Sequence, residues 1–414
     1  MKKIGILGGG IIGLSSAYYL NKAGHDVTII DQTNLLDGCS HGNAGMIVPS
    51  HFIPLAAPGM ISKGIRWMFD STSPFYIKPR FSKSLIKWGY HFYRSATSAH
   101  VQKSAPALKE ISLLSKSLYQ EWKQELPFDF GYQEKGLLML FKTKEAEHEE
   151  ANTVEMASRY GVEAYLLNAS EVQNLETQIK VDVKGGVYFP GDAHLNPNVL
   201  VSNLIKYLRQ KGVSFRDKTT LKDFQIDNGK VLAVKTNNGD FRFDEVVMAL
   251  GSWSGEMGGK LQLSLPMQAG KGYSFTLNDV VNNVQIPSIF LEARVAVTPM
   301  GNSLRFGGTM EITGVDHRIN MNRVKGIVNA IPRYFPKMLV PMPNQENVWH
   351  GLRPCSPDGL PYIGRSKKIE NLIIATGHSM MGLSLAPATG LLVSELVDNK
   401  KSSMNIELFE PERF

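Results

Sequence analysis

The sequence predicts an α/β protein of two domains, and three observations carry this prediction. The chain has 414 residues, about twice the length of a common domain. Its 43% hydrophobic and 20% charged residues suffice for a large core and exclude a disordered protein or a disulfide scaffold. The first thirty residues have the pattern of a strand, a helix and a second strand, the unit from which parallel sheets are built.

This N-terminal unit predicts a dinucleotide site. A G-x-G-x-x-G turn with its glycines at Gly8, Gly10 and Gly13 lies between the first strand and the helix. Gly8 permits the tight turn, Gly10 lets the backbone approach a pyrophosphate, and Gly13 allows close helix–strand packing. The helix N-terminus offers unpaired N–H groups to the phosphates. The predicted elements are a strand over 3–7, a helix over 14–23 and a strand over 25–30.

Asp31 stands at the end of the second predicted strand, eighteen residues after Gly13. A carboxylate there accepts hydrogen bonds from both hydroxyls of an adenosine ribose and disfavours a 2′-phosphate. The unit therefore favours FAD or NAD over NADP, and by itself it does not separate the first two.

Charge and cysteine content narrow the class of protein further. The net charge is +7, but residues 51–100 hold seven basic side chains and only one acid, Asp70, so the rest is nearly neutral and nucleic acid is not expected as a partner. Cys39 and Cys355 are the only cysteines, which excludes a zinc cluster and favours a reducing compartment. No segment has the pattern of a signal peptide or a membrane span, so a cytoplasmic protein without a metal is expected.

Six further segments in order along the chain contain short motifs, among them S-x-x-N-A-G from Ser40, K-G-Y-S from Lys271, G-G-T-x-E from Gly307 and G-L-R-P from Gly351. Together they resemble the glycine oxidase and D-amino acid dehydrogenase family of flavoenzymes, and most closely its dehydrogenase branch. The resemblance covers nearly the whole chain. The matching segments are 39–47, 243–251, 271–274, 305–311, 351–364 and 376–390.

The resemblance implies a Rossmann-like FAD-binding domain and a second, α+β domain whose antiparallel sheet covers the flavin and forms the substrate pocket. We expect the FAD-binding domain to comprise 1–80, 150–255 and 350–414, and the substrate domain 81–149 and 256–349. FAD is expected to be non-covalent, because the position at which relatives link flavin to a cysteine falls near Gly351 and not at Cys355.

The resemblance and the glycine turn together imply the cofactor-binding residues. They lie in the turn, at the end of the second strand, in the loop around Asn43, and in three later places. The expected residues are Gly8, Gly10, Ile12, Gly13, Asp31, Gln32, Ser40, Asn43, Ala44, Gly45, Met46, Leu221, Gly251, Trp253, Gly377, Met380, Met381, Gly382 and Leu383.

Three residues are implied at the reacting end. Arg353 is expected to hold a substrate carboxylate with its planar fork, the alternative being a structural arginine paired with Asp358. Tyr273 is expected to bind the same carboxylate and form an apolar wall, or else to be a core aromatic. His378 is expected near the flavin, or else as a hydrogen-bonded structural histidine. FAD accepts the hydride, so no metal is required, and a side-chain base is dispensable if the amine is neutral in the complex.

The expected reaction is oxidative deamination of a small D-amino acid or a cyclic imino acid such as D-proline or a hydroxyproline. Electrons are expected to pass to a quinone or another carrier. Three alternatives stay open: a glycine- or sarcosine-type oxidase that makes hydrogen peroxide, a flavin domain that acts on aminomethyl groups of tRNA, and a non-catalytic flavin-binding protein.

The basic stretch 51–100 also holds ten aromatic residues. Aromatic side chains mixed with Lys and Arg suit an anionic membrane surface, so peripheral contact with the cytoplasmic face of the inner membrane is one expectation. The other is a solvated basic face over a buried aromatic side.

Overall fold

A computed structural model describes residues 1–60 and 75–414. Of the basic stretch, Lys63, Arg66, Trp67, Phe69 and Asp70 lie outside the described residues. In the described part of the chain, no helix combines the length and the apolar character needed to cross a bilayer.

A six-stranded sheet contains the predicted N-terminal unit. All neighbouring strands are parallel except the first two, which are antiparallel. In spatial order, with labels numbered along the chain, the strands are β19 (Tyr362–Arg365), β20 (Leu372–Thr376), β13 (Glu245–Met248), β1 (Lys3–Leu7), β2 (Asp26–Ile30) and β9 (Ser214–Arg216).

Helices cover one face of this sheet and a small antiparallel sheet covers the other. Along β13, Val247 packs into the helical core, while Val246 and Met248 pack with Phe224 and Val234 of the small sheet. This alternation is the period-2 pattern of a strand buried on both faces. The covering elements are α1 (Ile11–Lys22), α3 (Ser98–Glu125), α6 (Pro197–Gln210), α9 (Ala386–Val397), β10 (Leu221–Asp227), β11 (Lys230–Thr236) and β12 (Gly239–Phe241).

The second large sheet has nine strands and is mostly antiparallel. Eight of them lie side by side, in the spatial order β18 (Trp349–Cys355), β14 (Gln268–Leu277), β17 (Ser303–Ile312), β16 (Val295–Met300), β15 (Ser288–Phe290), β5 (Leu137–Phe141), β7 (Gly185–Phe189) and β6 (Tyr165–Asn168). The ninth strand, β4 (Phe75–Ile77), pairs with β17 in parallel. The pair β15–β5 is also parallel.

The remaining elements flank this second sheet or connect the two. The helix α8 (Met321–Tyr334) packs on β14 and β17, and the helix α2 (Lys83–Ser95) contacts β14. The pair β3–β8 links the loop after β2 to the segment after β7. These elements are α2 (Lys83–Ser95), α4 (Lys144–Arg159), α5 (Ala169–Leu175), α7 (Ser254–Lys260), α8 (Met321–Tyr334), β3 (Met46–Ile47) and β8 (Ala193–His194).

The α/β fold with a second sheet domain is confirmed, but the strands divide the chain differently from the expected domains. β6 and β7 were expected in the FAD-binding domain and lie in the second sheet, as does β18 at the start of 350–414. Conversely, α3 packs on α9, and its Tyr119 hydroxyl donates to the carbonyl of Leu383 at 2.7 Å. The reason is that the sheet to which a strand belongs depends on its pairing with distant segments, and the sequence of one segment does not indicate this pairing.

One helix boundary also differs from the expectation. α1 begins at Ile11, directly after the Gly10 N-cap, and not at Leu14. The last helix, α9, begins at Ala386, and a short 3₁₀ turn over Ser379–Met381 precedes it.

Candidate active site

A cavity of about 540 Å³ lies between the two large sheets. Leu7, Ile30, Ala249 and Ala375 line it where β1, β2, β13 and β20 end. Strands β14, β17 and β18 of the second sheet line the opposite side. The cavity thus follows the carboxyl edge of a parallel sheet, where α/β proteins bind their ligands.

The glycine turn presents the start of α1 to this cavity. Gly8 has φ +103°, a left-handed conformation that glycine adopts without strain, and a Cβ on Gly13 would lie 1.9 Å from the Gly8 carbonyl oxygen. Gly10 and Ile12 line the cavity, and Gly10, the N-cap, has no side chain to cap the helix. Apart from the Ile11 amide, which donates to Ser40, the first amides of α1 are therefore open to an anion. Gly13 lies beneath the turn and does not line the cavity, in keeping with its expected packing role.

Asp31 follows β2 and lines the cavity beside Gln32. Its Oδ2 accepts from the Gly9 amide at 2.7 Å, and its Oδ1 accepts from the amide and hydroxyl of Thr33 at 2.8 and 2.9 Å. These bonds fix the carboxylate, and Oδ2, which accepts only one of them, keeps a lone pair for a ligand hydroxyl. Leu221 lines the same cavity.

The loop after β2 lies between the two sheets. Ser40, Asn43, Ala44 and Met46 line the cavity, whereas Gly45 turns away at φ +78° and donates to the Asn43 side chain at 2.8 Å. Ser40 accepts from the amide of Ile11 at 2.9 Å, which ties the loop to the start of α1.

Two later segments complete the lining that the sequence predicts. Gly251 and Trp253 form a 3₁₀ turn after β13, and both line the cavity. Gly377, with φ +77°, does not line it, but the residues that follow do. Those residues are Met380, Met381, Gly382 and Leu383.

Arg353 on β18 lines the cavity from the second sheet, and its guanidinium donates to the Thr309 carbonyl at 2.5 Å and weakly to the Met310 sulfur at 3.9 Å. In the described parts of the chain no carboxylate comes within ion-pair distance of it. Asp358, the alternative partner, instead pairs with Arg413 at 2.7 Å. Burial lowers the pKa of Arg353 below its ordinary value. A partly desolvated cation with no anion beside it is a site for an anionic ligand.

Backbone geometry places Arg353. A Cβ on Gly272 would lie 2.2 Å from Nη2 of Arg353, so the guanidinium occupies the space that a side chain at 272 would fill. Thr309 has φ +66°, which is rare for a β-branched residue, and it lies in a bulge where the β14–β17 register shifts. Its carbonyl accepts from Arg353 and its hydroxyl is buried without a hydrogen-bond partner. Sequence reasoning missed Thr309, although Gly307-Gly308 is a bulge signal.

The hydrogen bonds of Tyr273 favour the wall role over contact with a carboxylate. Its ring lines the cavity, but its hydroxyl donates to Glu311 at 2.6 Å and accepts from the Asn320 amide at 3.1 Å. Burial and the Glu311 carboxylate raise the pKa of the phenol. The hydroxyl proton is therefore held away from a ligand.

His378 lines the cavity and is 3% exposed. Its Nε2 lies 2.9 Å from the Thr389 hydroxyl, and burial lowers its pKa to about 3. It is thus a neutral imidazole held by α9. Its Nδ1 is buried without a hydrogen-bond partner.

Two further lining residues were missed. His51 and Arg294 both line the cavity, from the loop after β3 and from the turn before β16. Neither stands in a motif, and only the pairing of distant segments brings them there. In the described residues, no group of three or more His, Cys, Asp or Glu side chains is arranged to hold a metal ion.

The fold and the cavity together define a two-domain dinucleotide-binding protein. Residues 3–396 match the DAO family, FAD dependent oxidoreductase, and the chain belongs to this family. It is 32% identical to a D-amino acid dehydrogenase of Neisseria meningitidis over 97% of both chains. Its fold is similar to that of glycine oxidase from Geobacillus kaustophilus (TM-score 0.79, 24% identity, 100% of both chains). It is also similar to that of L-proline dehydrogenase from P. horikoshii (TM-score 0.77, 19% identity, 100% of this chain and 97% of the other).

The chain is therefore an FAD-dependent oxidoreductase, and the cavity fits that cofactor. The open start of α1 suits a pyrophosphate, and Asp31 suits an adenosine ribose. The cavity continues from there to the second sheet, where Arg353 lies.

Replacing Gly13 with alanine tests the glycine turn. Because the new Cβ would lie 1.9 Å from the Gly8 carbonyl oxygen, the turn must move. Such overpacking costs about 1–3 kcal/mol, so we expect FAD to bind roughly 5- to 150-fold more weakly by fluorescence titration. Gly191→Ala is the matched control, since a Cβ there meets nothing within 4 Å. Equal FAD affinity of both variants would contradict the role of the turn.

Proposed function

We propose that this enzyme oxidises the C–N bond of a small D-amino acid or a cyclic imino acid such as D-proline or a hydroxyproline. The imine that forms takes up water, and the electrons pass to a quinone or another carrier. The observation that carries the proposal is Arg353, a cationic fork on the cavity wall that pairs with no carboxylate among residues 1–60 and 75–414. An α-carboxylate is the planar anion that such a fork binds through two parallel hydrogen bonds.

The lining of the cavity supports a small, uncharged side chain on the substrate. Apolar residues of the second sheet lie on the cavity wall, among them Met139, Ile289 and Met310. Of the described residues that line the cavity, the only acid is Asp31, which lies at the ribose end. A basic substrate side chain would thus enter this part of the cavity without a counter-ion, at a large desolvation cost.

The residues of the chain bind and orient, while FAD supplies the hydride acceptor. Arg353 fixes the carboxylate, and the Thr309 carbonyl fixes Arg353. The Tyr273 ring closes one wall, held by Glu311. The D configuration and the use of a carrier are supported by the curated relative, whose name is D-amino acid dehydrogenase.

A substrate panel tests the proposal. Purified holoenzyme is mixed anaerobically with D- and L-amino acids, D- and L-proline and the hydroxyprolines, and flavin bleaching is followed. We expect a small D-amino or imino acid to bleach the flavin fastest, and D-arginine to bleach it slowly. Air is then admitted, and hydrogen peroxide is assayed. Fast stoichiometric formation of peroxide would show that the enzyme is an oxidase and not a dehydrogenase. If none of the amino or imino acids bleaches the flavin, the proposal is overturned.

We further propose that α2 and the turn before it contact the anionic cytoplasmic face of the inner membrane. Ile86, Tyr90 and Tyr93 follow one another at helical spacing and are 66%, 56% and 70% exposed, and Phe81 is fully exposed. The basic residues Lys78, Arg80, Lys83, Lys87 and Arg94 lie in the same segment, and residues 75–96 contain no acid. An exposed apolar stripe with basic neighbours suits the interface of an anionic bilayer.

The opposite face of α2 is anchored to the enzyme. Trp88 is buried, stacks on Phe92 at 5.0 Å between ring centroids, and donates its indole N–H to the Cys355 carbonyl at 2.9 Å. Cys355 ends β18, the strand that holds Arg353. The exposed stripe and the buried anchor thus belong to opposite sides of one helix, which fits both expectations for the aromatic residues.

Vesicle sedimentation tests this contact. We expect wild-type holoenzyme to sediment with phosphatidylglycerol vesicles and to stay in solution with phosphatidylcholine vesicles, because each Lys or Arg near an anionic surface contributes about 1 kcal/mol. Phe81→Ser with Ile86→Ser should release the protein while the flavin spectrum stays unchanged. Lys368→Ser, a basic residue outside this segment, serves as the control. Equal sedimentation of the double variant and the control would contradict the contact.

A further inference from the structure

A hydrogen-bonded chain of three side chains leads from a buried carboxylate to the cavity wall. Asp192 is 1% exposed, and its two carboxylate oxygens accept from the amide and the hydroxyl of Ser50 at 3.1 and 2.5 Å. The Ser50 hydroxyl lies 3.0 Å from Nδ1 of His51. His51 in turn lines the cavity. The pairing of β3 with β8 brings the two segments together.

The hydrogen atoms of these three hydrogen-bonded side chains have two consistent arrangements. When Asp192 is ionised, the Ser50 hydroxyl donates to the carboxylate and accepts from Nδ1–H of His51, so Nε2 carries a lone pair. When Asp192 is protonated, both hydrogen bonds of the Ser50 hydroxyl reverse and Nε2 carries the hydrogen. One proton that enters at Nε2 therefore converts the first arrangement into the second without leaving a charge on the imidazole.

A series of neighbouring residues connects His51 with Arg353 along the cavity wall. Its charged neighbour is Arg294, whose backbone carbonyl lies 3.1 Å from the position of a Cβ on Gly308. The next residue, Thr309, accepts the hydrogen bond of Arg353. A ligand whose carboxylate binds Arg353 thus has its remaining groups in the cavity that His51 also lines.

The proposed substrate needs a proton acceptor at this place. An amino or imino acid is an ammonium ion at neutral pH, and the C=N bond forms only when the nitrogen has a free electron pair. We propose that His51, Ser50 and Asp192 take this proton from the bound substrate before oxidation. The inference rests on the proposed function and adds a catalytic base to it.

The proton transfer balances without any redox change. The N–H bond of the ammonium breaks and an Nε2–H bond forms on His51. The Nδ1 proton passes to the Ser50 oxygen, and the Ser50 proton passes to Oδ2 of Asp192. The ammonium and the carboxylate both become neutral. After the product leaves, the same steps in reverse return the proton to water in the cavity.

The charges around the chain favour Asp192 as the final site of the proton. Burial and the nearby Arg294 lower the pKa of His51 to about 4, so an imidazolium is disfavoured. Burial raises the pKa of Asp192 to about 7, although the hydrogen bonds from Ser50 and the charge of Lys116 act in the opposite direction.

The pH dependence of anaerobic flavin reduction tests this proton relay through His51, Ser50 and Asp192. Asp192 must be ionised to accept a proton, so we expect the wild-type rate to fall as the pH drops through about 7. Ser50→Ala breaks the chain but keeps the backbone bond to Asp192. It should lose roughly 100-fold at neutral pH and recover at higher pH, where the free amine itself binds. Asp192→Asn should behave alike, and Ser50→Thr should retain the rate because it keeps the hydroxyl. Wild-type rate and pH profile in Ser50→Ala, with FAD retained, would overturn the inference.

A second readout does not depend on turnover. The amino acids α-aminoisobutyrate and 2-methylproline have an ammonium group but no α-hydrogen, so they cannot be oxidised. At a pH well above 7, their binding to holoenzyme should produce the infrared carbonyl band of a protonated carboxyl group, and Asp192→Asn should lack it. Binding without this band in the wild type would overturn the relay. Failure of every substrate to bleach the flavin would overturn the proposed function instead, and the infrared band would still report on the relay.

Discussion

Arg353→Ala is expected to raise KM by two to three orders of magnitude while the bound flavin keeps its spectrum. The guanidinium has no carboxylate partner among the described residues, so a substrate carboxylate would provide the charge that it lacks. Truncating one partner of a buried, hydrogen-bonded charge pair costs about 2–5 kcal/mol, which corresponds to roughly 30- to 5,000-fold in affinity. Arg353 lies on the second sheet and belongs to none of the elements of the first sheet that are expected to bind FAD. FAD should therefore remain bound.

Two further variants separate charge from geometry. Arg353→Lys keeps the charge but loses the planar fork, so it should recover only part of the affinity. Gly272→Ala keeps the arginine at position 353, but the new Cβ would lie 2.2 Å from Nη2, so the guanidinium must move. It should therefore also raise KM, whereas Gly191→Ala should not. Steady-state kinetics and anaerobic titration measure both. An unchanged KM in Arg353→Ala would refute the carboxylate site.

The sequence predicts best what local chemistry determines. The strand over Lys3–Leu7 and its glycine turn are confirmed, because a turn at φ +103° needs glycine and the strand is buried by its own apolar pattern. The Asn196-Pro197 start of α6 follows equally local rules, with Asn196 capping the Val199 amide.

The sequence predicts less where the partner lies far along the chain. Asp358 stands five residues from Arg353, yet it pairs with Arg413, which no spacing indicates. The motif of Tyr273 shows that the ring lies on a strand, but not that Glu311 receives its proton. The same limit hides the relay, since Asp192 and Ser50 are 142 residues apart and meet only through β3 and β8.

Glu311→Ala is expected to be the most destabilising single change in the wall of the cavity. Glu311 is 3% exposed, with Lys271 Nζ at 3.7 Å from one carboxylate oxygen and Arg323 Nε at 3.3 Å from the other. The Tyr273 hydroxyl donates to the same carboxylate at 2.6 Å. Its removal leaves two buried cations without this anion, and breaking such a group costs about 3–5 kcal/mol.

Urea unfolding of the holoenzyme measures this loss, and two variants show its origin. Glu311→Gln keeps the shape and an acceptor for Tyr273 but removes the charge, so a loss close to that of alanine would assign the effect to the buried cations. Glu155→Ala breaks an exposed pair with Arg159, whose side chains are 63% and 73% exposed, and should change stability little. If Glu311→Ala and Glu155→Ala unfold at the same urea concentration, the buried cluster does not stabilise the wall. Because the cluster also holds the Tyr273 ring, KM should rise in Glu311→Ala even under conditions where the protein is fully folded.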